Sequence, residues 1–287
     1  NRMNITPKKT IGDLSCGDGA FLTKAFDVMQ KKSKNELNTV SKLYGLELDP
    51  KVLKQTQSNI IEKCKLEKSK KYVTKNILKM DTVAVKVGDI LTKFQSVNQQ
   101  KGFDIIVGNP PYVTYKSSDK KLKNDLIFSQ IIKGQVNLAT LIIGRAFSLL
   151  KDRGMLGLLL PKSLLRVKSY QKLRDFLLAN FEIKCVIDVG QAFDDVRGEQ
   201  VIFIAQKKKP ISTHVLVGNW HTNSSRPSLT KISKSKLIRF GVFQLFENTN
   251  VHNLISKITD SHTSLEELCN NKIYRGIPIS ANSSFVK

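Results

Sequence analysis

The stretch Phe103-Asp104-Ile105-Ile106-Val107-Gly108-Asn109-Pro110-Pro111-Tyr112 limits the possible folds of this chain more than any other. Ile105, Ile106 and Val107 are consecutive β-branched residues, which reads as a short buried strand, and Gly108 stops it. Two prolines then fix φ twice and delete two backbone donors. Pro110 also keeps Asn109 out of helical geometry. The result is a stiff, extended tip at the carboxyl end of a strand, the edge at which open α/β sheets bind ligands. Such a tip holds the Asn109 amide oxygen and the Pro110 carbonyl oxygen close together as acceptors, with the Tyr112 ring as a flat face beside them. Two acceptors and an aromatic plane suit a planar group bearing an NH2, such as a nucleobase. A strand followed by a plain proline turn has the same local sequence, so the remaining segments decide.

The segments before the tip alternate strand and helix. Thr10 to Leu14 reads as a first strand, Ser15-Cys16-Gly17-Asp18-Gly19 as a glycine turn, and Ala20 to about Met29 as an amphipathic helix. Strand, glycine turn and helix build the ligand crevice of a doubly wound domain, with helix-terminal amides facing it. The spacing is not the GxGxxG dinucleotide fingerprint and no P-loop lysine follows, which argues against nucleotide phosphates. Lys42 to Asp49 predicts a second strand, with Glu47 near the offset at which such folds place an acid on a ribose diol. Asp49 before Pro50 reads as an N-cap with proline at the first helical position, and a helix follows over residues 51–63. The lysine-rich span Lys63 to Lys79 reads as a solvated insertion. A third strand is expected over Val83 to Val87, ending in Gly88-Asp89-Ile90. Three successive strands would then finish in Asp13, Glu47 and Asp89, which suits a ligand carrying an amine, a ribose and a base amino group.

After the tip, Val113 to Gln135 is polar and carries lysines. Leu138, Leu141, Ile142, Ala146 and Leu149 share one helical face. Met155 to Leu160 predicts a fifth strand, residues 168–180 a helix, and Ile183 to Asp188 and Gln200 to Ala205 two further strands. Beyond Lys207-Lys208-Lys209-Pro210 the composition shifts to Ser, Thr, Asn and His, which sets a boundary after residue 209.

Charge and cysteines narrow the partners. The chain carries 47 Lys and Arg against 24 Asp and Glu, a formal net charge of +23. That excess points to a polyanion, nucleic acid before an anionic membrane surface. No segment approaches the roughly 18 apolar residues of a membrane span, and no secretory leader is apparent, so a cytoplasmic location is expected. Cys16, Cys64, Cys185 and Cys269 have no CxxC spacing, and the four histidines are equally scattered. Reduced thiols and no metal centre are the expectation.

With these residues in view, the chain resembles the S-adenosylmethionine-dependent N6-adenine DNA methyltransferases, specifically the TaqI-type (gamma class) branch of restriction-modification systems. Asp13 to Leu22 is similar to the family's cofactor motif, with Ser15 where proline is common. Asn109-Pro110-Pro111-Tyr112 matches the catalytic motif in full. Asn137 to Ser163 and Asp188 to Ala205 follow the later motifs. The resemblance implies a Rossmann-like class I methyltransferase fold: a mostly parallel seven-stranded sheet, helices on both faces, and the last strand antiparallel. It implies S-adenosylmethionine contacts at Asp13, Cys16, Gly17, Gly19, Glu47, Asp49, Asp89, Ile90 and Asn109. It further implies catalysis by Asn109, Pro110, Pro111 and Tyr112, and base stacking on Tyr112 and Phe193. Residues 1–209 would form the catalytic domain, with a shortened helix before the first strand. Residues 210–287 would form a linker and the incomplete start of a target-recognition region, opening near Tyr274 to Phe285. Double-stranded DNA is the implied partner, with a nuclease or specificity domain or subunit outside this chain, and Lys116 to Lys123 are expected to touch phosphates. The same tip motif also occurs in methyltransferases that modify a protein glutamine or an RNA base, and a non-catalytic DNA-binding subunit could keep the fold. The intact motif favours an enzyme.

Overall fold

A computed structural model describes residues 3–269 apart from residues 34, 116–121, 123, 133–135, 192–197, 221–223, 240, 246–248 and 264. Phe193, the lysines of Lys116 to Lys123 and the stretch Tyr274 to Phe285 lie outside the described residues. The chain divides into two compact units, Asn1–Glu247 and Asn248–Lys287. In the second unit the described elements are the helices Thr249–Ser261 and Leu265–Leu268.

The first unit is built on one nine-stranded sheet. Its strands are β1 (Ile11–Asp13), β2 (Leu43–Glu47), β3 (Ile77–Lys79), β4 (Phe103–Gly108), β5 (Leu150–Pro161), β6 (Phe181–Gly190), β7 (Gln200–Lys207), β8 (His214–Asn219) and β9 (Ser228–Ser233), in spatial order β9-β8-β6-β7-β5-β4-β1-β2-β3. Strands β3, β2, β1, β4 and β5 are mutually parallel. β7 slots antiparallel between β5 and β6. The expected seven-stranded arrangement is therefore extended by two strands, with β8 parallel to β6 and β9 antiparallel to β8. Alternation explains the extension: Val215, Val217 and Ile232 are buried while His214 and Lys231 face solvent. The Ser-, Thr- and Asn-rich composition past residue 209 thus belongs to the same sheet, and the first unit ends at Glu247 rather than at residue 209.

Helices cover both faces. α1 (Ala20–Gln30), α3 (Pro50–Ile61) and α4 (Glu67–Asn76) bury Leu22, Phe26, Met29, Ile60 and Val73 against Ile11, Leu43, Ile105 and Val107. On the other face α5 (Val87–Lys93), α6 (Leu138–Leu149) and α7 (Gln171–Asn180) pack against Leu46, Ile106, Leu156 and Leu158. α2 (Glu36–Val40) leads into β2. β4 supplies residues to both cores, as an apolar run without alternation must.

The third strand differs from expectation. The β-branched run Val83 to Val87 is a turn leading into α5, and the strand is Ile77–Lys79 at the edge of the sheet. The lysine-rich span expected as an insertion folds into α4 and β3. α4 buries Ser69, Val73 and Asn76 on one face, and its lysines occupy the rest. A short edge strand ending in lysine has little apolar signal and a charged rim that discourages edge pairing.

Candidate active site

The strand order reverses where β1 lies between β2 and β4. A doubly wound sheet opens its crevice at that switch point, outside the carboxyl ends of the strands. A cavity of about 390 Å3 lies there, lined by Leu14, Ser15, Gly17, Leu46, Glu47, Leu48, Val52, Met80, Asp81, Thr82, Val83, Asn109, Pro111, Leu138 and Ile142. Residues from the ends of β1, β2, β3 and β4 and from the start of α6 thus meet in one space.

The glycine turn after β1 is shaped by positive φ at Gly17 (54°) and Gly19 (86°). Gly17 lines the cavity, while Gly19 is pressed against α3, where a Cβ would come within 2.7 Å of Thr56 Cγ2. The two expected cofactor glycines therefore do different work: one leaves backbone open to the cavity and the other permits helix packing. Glu47 fastens the turn to β2. Its Oε2 accepts from Gly17 N–H (2.9 Å), and its Oε1 accepts from Leu48 N–H (2.8 Å) and Asp49 N–H (3.0 Å). Asp49 caps α3, accepting from Lys51 N–H (2.7 Å) and Val52 N–H (3.3 Å), and is not part of the cavity wall.

Asp13 is almost fully buried, 2% exposed, and accepts from Ser15 N–H at 3.1 Å. Burial, then the nearby charges of Glu47 and Asp18, push its carboxyl up to about 7, against the opposing pull of the Ser15 amide. Asp13 also lies directly beneath the Asn109 tip: a Cβ at Gly108 would sit 2.7 Å from its Oδ1. Cys16 is buried behind the turn, off the cavity wall, and burial holds its thiol far above the usual range.

The acid at the end of β3 is Asp81, not Asp89. Asp81 Oδ1 accepts from Val83 N–H and Ala84 N–H, both at 2.9 Å, and the residue lines the cavity. Asp89 is exposed on α5, and Ile90 is fully buried in the core beneath it. The misplaced third strand carried both off the site. Asp81 follows the apolar pair Ile77-Leu78 at the spacing of a short strand, and that signal could have found it. The loop after Asp81 is braced from below by Arg145, a residue the sequence did not single out. Its guanidinium donates to Thr82 O (2.9 Å), Val83 O (2.7 Å) and Asp125 Oδ2 (3.2 Å). Thr82 Oγ1 donates in turn to Leu14 O at 2.6 Å.

At the tip, Asn109 and Pro111 face the cavity. The Tyr112 hydroxyl donates to Asn109 Oδ1 (2.6 Å) and lies 3.2 Å from Leu159 O. Burial raises the phenol above its usual range, so it stays a donor. An amide oxygen has two lone pairs, so Tyr112 fixes the Asn109 side chain and leaves one acceptor direction open. Among the described residues no His, Cys, Asp and Glu cluster with metal-binding geometry.

The cavity's donor set fits an adenosyl sulfonium ligand. Leu14, Leu46, Met80, Val83, Leu138 and Ile142 supply apolar walls for a flat base, and Glu47 and Asp81 supply acceptors at the rim for hydroxyl and amino protons. Both acids already spend bonds on backbone amides, which sets their orientation before any ligand arrives.

Residues 41–194 match the family of the Eco57I restriction-modification methylase. The chain belongs to that family. It is 27% identical over 224 residues to the type II restriction enzyme and methyltransferase RM.Eco57I of Escherichia coli, covering 62% of this chain and 22% of that enzyme. It is 32% identical over 100 residues to the adenine-specific methyltransferase BrxX of Escherichia coli O9:H4, covering 34% of this chain and 8% of that protein. A Listeria monocytogenes protein assigned to the class I S-adenosylmethionine-dependent methyltransferases superposes with a TM-score of 0.52 at 17% identity, over 75% of this chain and 59% of that one. The chain therefore spans only a fraction of its curated relatives' length.

Proposed function

We propose that this chain is the catalytic core of a DNA adenine-N6 methyltransferase of a restriction-modification system. The observation that carries the reading is that Asn109 opens into the same cavity as Glu47 and Asp81. The acceptor for an amino group and the acids for a cofactor thus share one wall. The adenine-specific relative supports the choice of base.

S-adenosylmethionine, when bound, supplies an electrophilic methyl group on a sulfonium. The protein's part is placement. The target adenine leaves the duplex, because its amino nitrogen cannot be reached inside the stack. Asn109 Oδ1 and Pro110 O accept hydrogen bonds from the two N6–H groups, which draws electron density onto nitrogen and favours a pyramidal nitrogen whose lone pair is localised rather than conjugated with the ring. The Tyr112 ring stacks on the base. Glu47 holds the ribose hydroxyls, Asp81 receives the adenine amino group of the cofactor, and Gly17 brings backbone close to it. In-line positioning and fixed acceptors for the developing positive charge on nitrogen supply most of the rate effect.

The test follows label from the methyl donor into double-stranded DNA, with digestion to nucleosides and identification of N6-methyladenine. Asn109→Ala should lower the transfer rate by about 100- to 1,000-fold while cofactor binding measured by calorimetry stays largely intact. Label entering RNA or a protein glutamine instead, or an undiminished Asn109→Ala rate, would replace this reading.

A further inference from the structure

A buried guanidinium joins the Asp81 side of the cavity to the chain that leaves the Asn109 tip. Beyond Tyr112 that chain is closed at its root: Leu138 N–H donates to Val113 O at 2.9 Å, and Thr114–Tyr115 pairs antiparallel with Val136–Asn137. Between these ends lies the short helix Leu126–Ile131, capped by Asp125, whose Oδ1 accepts from Ile127 N–H (3.0 Å) and Phe128 N–H (3.2 Å). Phe128 and Ile131 anchor the helix in the core.

Arg145 makes the connection. It belongs to α6 and is buried. Its Nε and Nη2 donate to Thr82 O and Val83 O, directly after the cavity acid Asp81, while Nη1 donates to the Asp125 oxygen that the cap leaves over. The guanidinium also lies 4.7 Å from the centre of the Phe128 ring. One planar fork thus touches the loop after Asp81 twice and the helix beyond the tip twice. Burial pulls the guanidinium below its usual range, and the charges of Asp125 and Asp81 act against that pull.

The two sides also share a wall. Val83 lines the cavity at Asn109 and a neighbouring cavity of about 610 Å3, which Asp125, Phe128 and Arg145 line as well. Asp125 and Arg145 do not line the cavity at Asn109. A buried guanidinium is costly unless its donors are satisfied, and its fork is planar and rigid. Any movement of Val83 against a ligand is therefore felt at Asp125, because the guanidinium cannot follow one partner without straining its bond to the other.

We infer that Arg145 is a positioning residue that links occupancy of the cavity by a methyl donor to the placement of the helix Leu126–Ile131 beyond the tip. The inference rests on the methyltransferase reading and goes further by giving that reaction a device that sets its two sides together. One side is the loop proposed to receive the donor's adenine, and the other is the chain that continues from the tyrosine proposed to stack on the target base. A linkage of this kind is reciprocal, so whatever fixes one side steadies the other.

Two measurements on the full chain test the link. The first follows hydrogen exchange at the amides of residues 126–132 with and without saturating S-adenosylmethionine. Wild-type exchange should slow several-fold when the donor binds, whereas Arg145→Lys, which keeps the charge but not the fork, should exchange alike in both conditions. The second is a double-variant cycle read by calorimetry. Asp125→Asn keeps an oxygen for the cap and removes only the charge that faces the guanidinium. It should weaken S-adenosylmethionine binding by about threefold to tenfold, although Asp125 lies off the cavity wall, and should add nothing in the Arg145→Lys background. Asp89→Asn, on the exposed face of α5, should bind as the wild type does. Wild-type exchange that ignores the bound donor overturns the link, and this result decides even where Arg145→Lys does not fold. An equal loss from Asp125→Asn in both backgrounds also overturns it, since that would be the field of a missing charge rather than a connection. A wild-type chain with no S-adenosylmethionine affinity would instead remove the methyltransferase reading itself, and the link with it.

Discussion

The two halves of the sheet's carboxyl edge treat their acids in opposite ways. Around β1, β2 and β3, Asp13, Glu47, Asp49 and Asp81 are held by backbone amides. Among the described residues none of the four forms an ion pair. Beyond β5, Asp188 and Glu199 share Lys162 instead. An amide orients a carboxylate without cancelling its charge, whereas an ammonium cancels it. The first half therefore keeps carboxylate charge at the cavity, and the second half cancels its own. With a formal net charge of +23 over the whole chain, the negative cavity is a local exception. Preorganised acids at such a site strengthen binding without reorganisation when the ligand arrives.

Lys162→Met is the substitution that breaks this contrast most severely. Lys162 and Asp188 are each 12% exposed, and removing one partner of a nearly buried pair leaves an uncompensated charge that costs about 3 kcal/mol. Urea unfolding should show the loss. Adding Asp188→Asn to the same chain should recover a large part of it, since the orphaned charge is then gone. Cofactor affinity should move little in either variant, because the pair belongs to the other half. A Lys162→Met chain of full stability would mean that the pair is solvated and neutralises nothing.

Asp81→Ala and Asp89→Ala sharpen the assignment of the cofactor half. Hydrogen bonds to a charged group contribute about 1.5–3 kcal/mol, and Asp81 also stabilises the turn through Val83 and Ala84. Calorimetry should show S-adenosylmethionine affinity falling by roughly tenfold or more in Asp81→Ala, whereas Asp89→Ala, on the exposed face of α5, should bind as the unaltered chain does. The reverse result would return the role to Asp89.

That pair also marks where the sequence was legible and where it was not. β1, the glycine turn, β2, the Asp49 cap with Pro50, and the Asn109 tip were readable because each combines an apolar run with a residue that enforces one backbone conformation. The edge strand β3 lacked both: it is three residues long, follows a lysine-covered helix, and competes with the more β-branched Val83 to Val87. The turn chemistry of Asp81, whose carboxylate collects two amides just ahead of that run, outweighs strand propensity there. β8 and β9 carried a clear two-residue alternation, but the polar composition around them concealed it. Buried arginines such as Arg145 and Arg174 were not legible at all, because their partners are mostly carbonyls, many distant in sequence, and carbonyls have no sequence signature.

Asp13 supplies the smallest effect and the most direct test of the negative cavity. Its carboxyl is raised from the usual 3.8 to about 7 by burial and by Glu47 and Asp18. Between those two values the folded chain holds a proton that the unfolded chain has released, so the stability linked to this group falls as pH rises from about 4 to 7. A cationic ligand acts in the opposite direction, because it favours the ionised carboxylate and stabilises it beside the tip. S-adenosylmethionine affinity should consequently tighten by about tenfold between pH 6 and pH 8, following the ionised fraction of a group titrating near 7. Calorimetry at the two pH values measures this, and Asp13→Asn should bind more weakly at pH 8 with the pH dependence removed. A wild-type affinity that is flat across this range would place the positive centre of the ligand away from Asp13, and the negative character of the cavity would then rest on Glu47 and Asp81 alone.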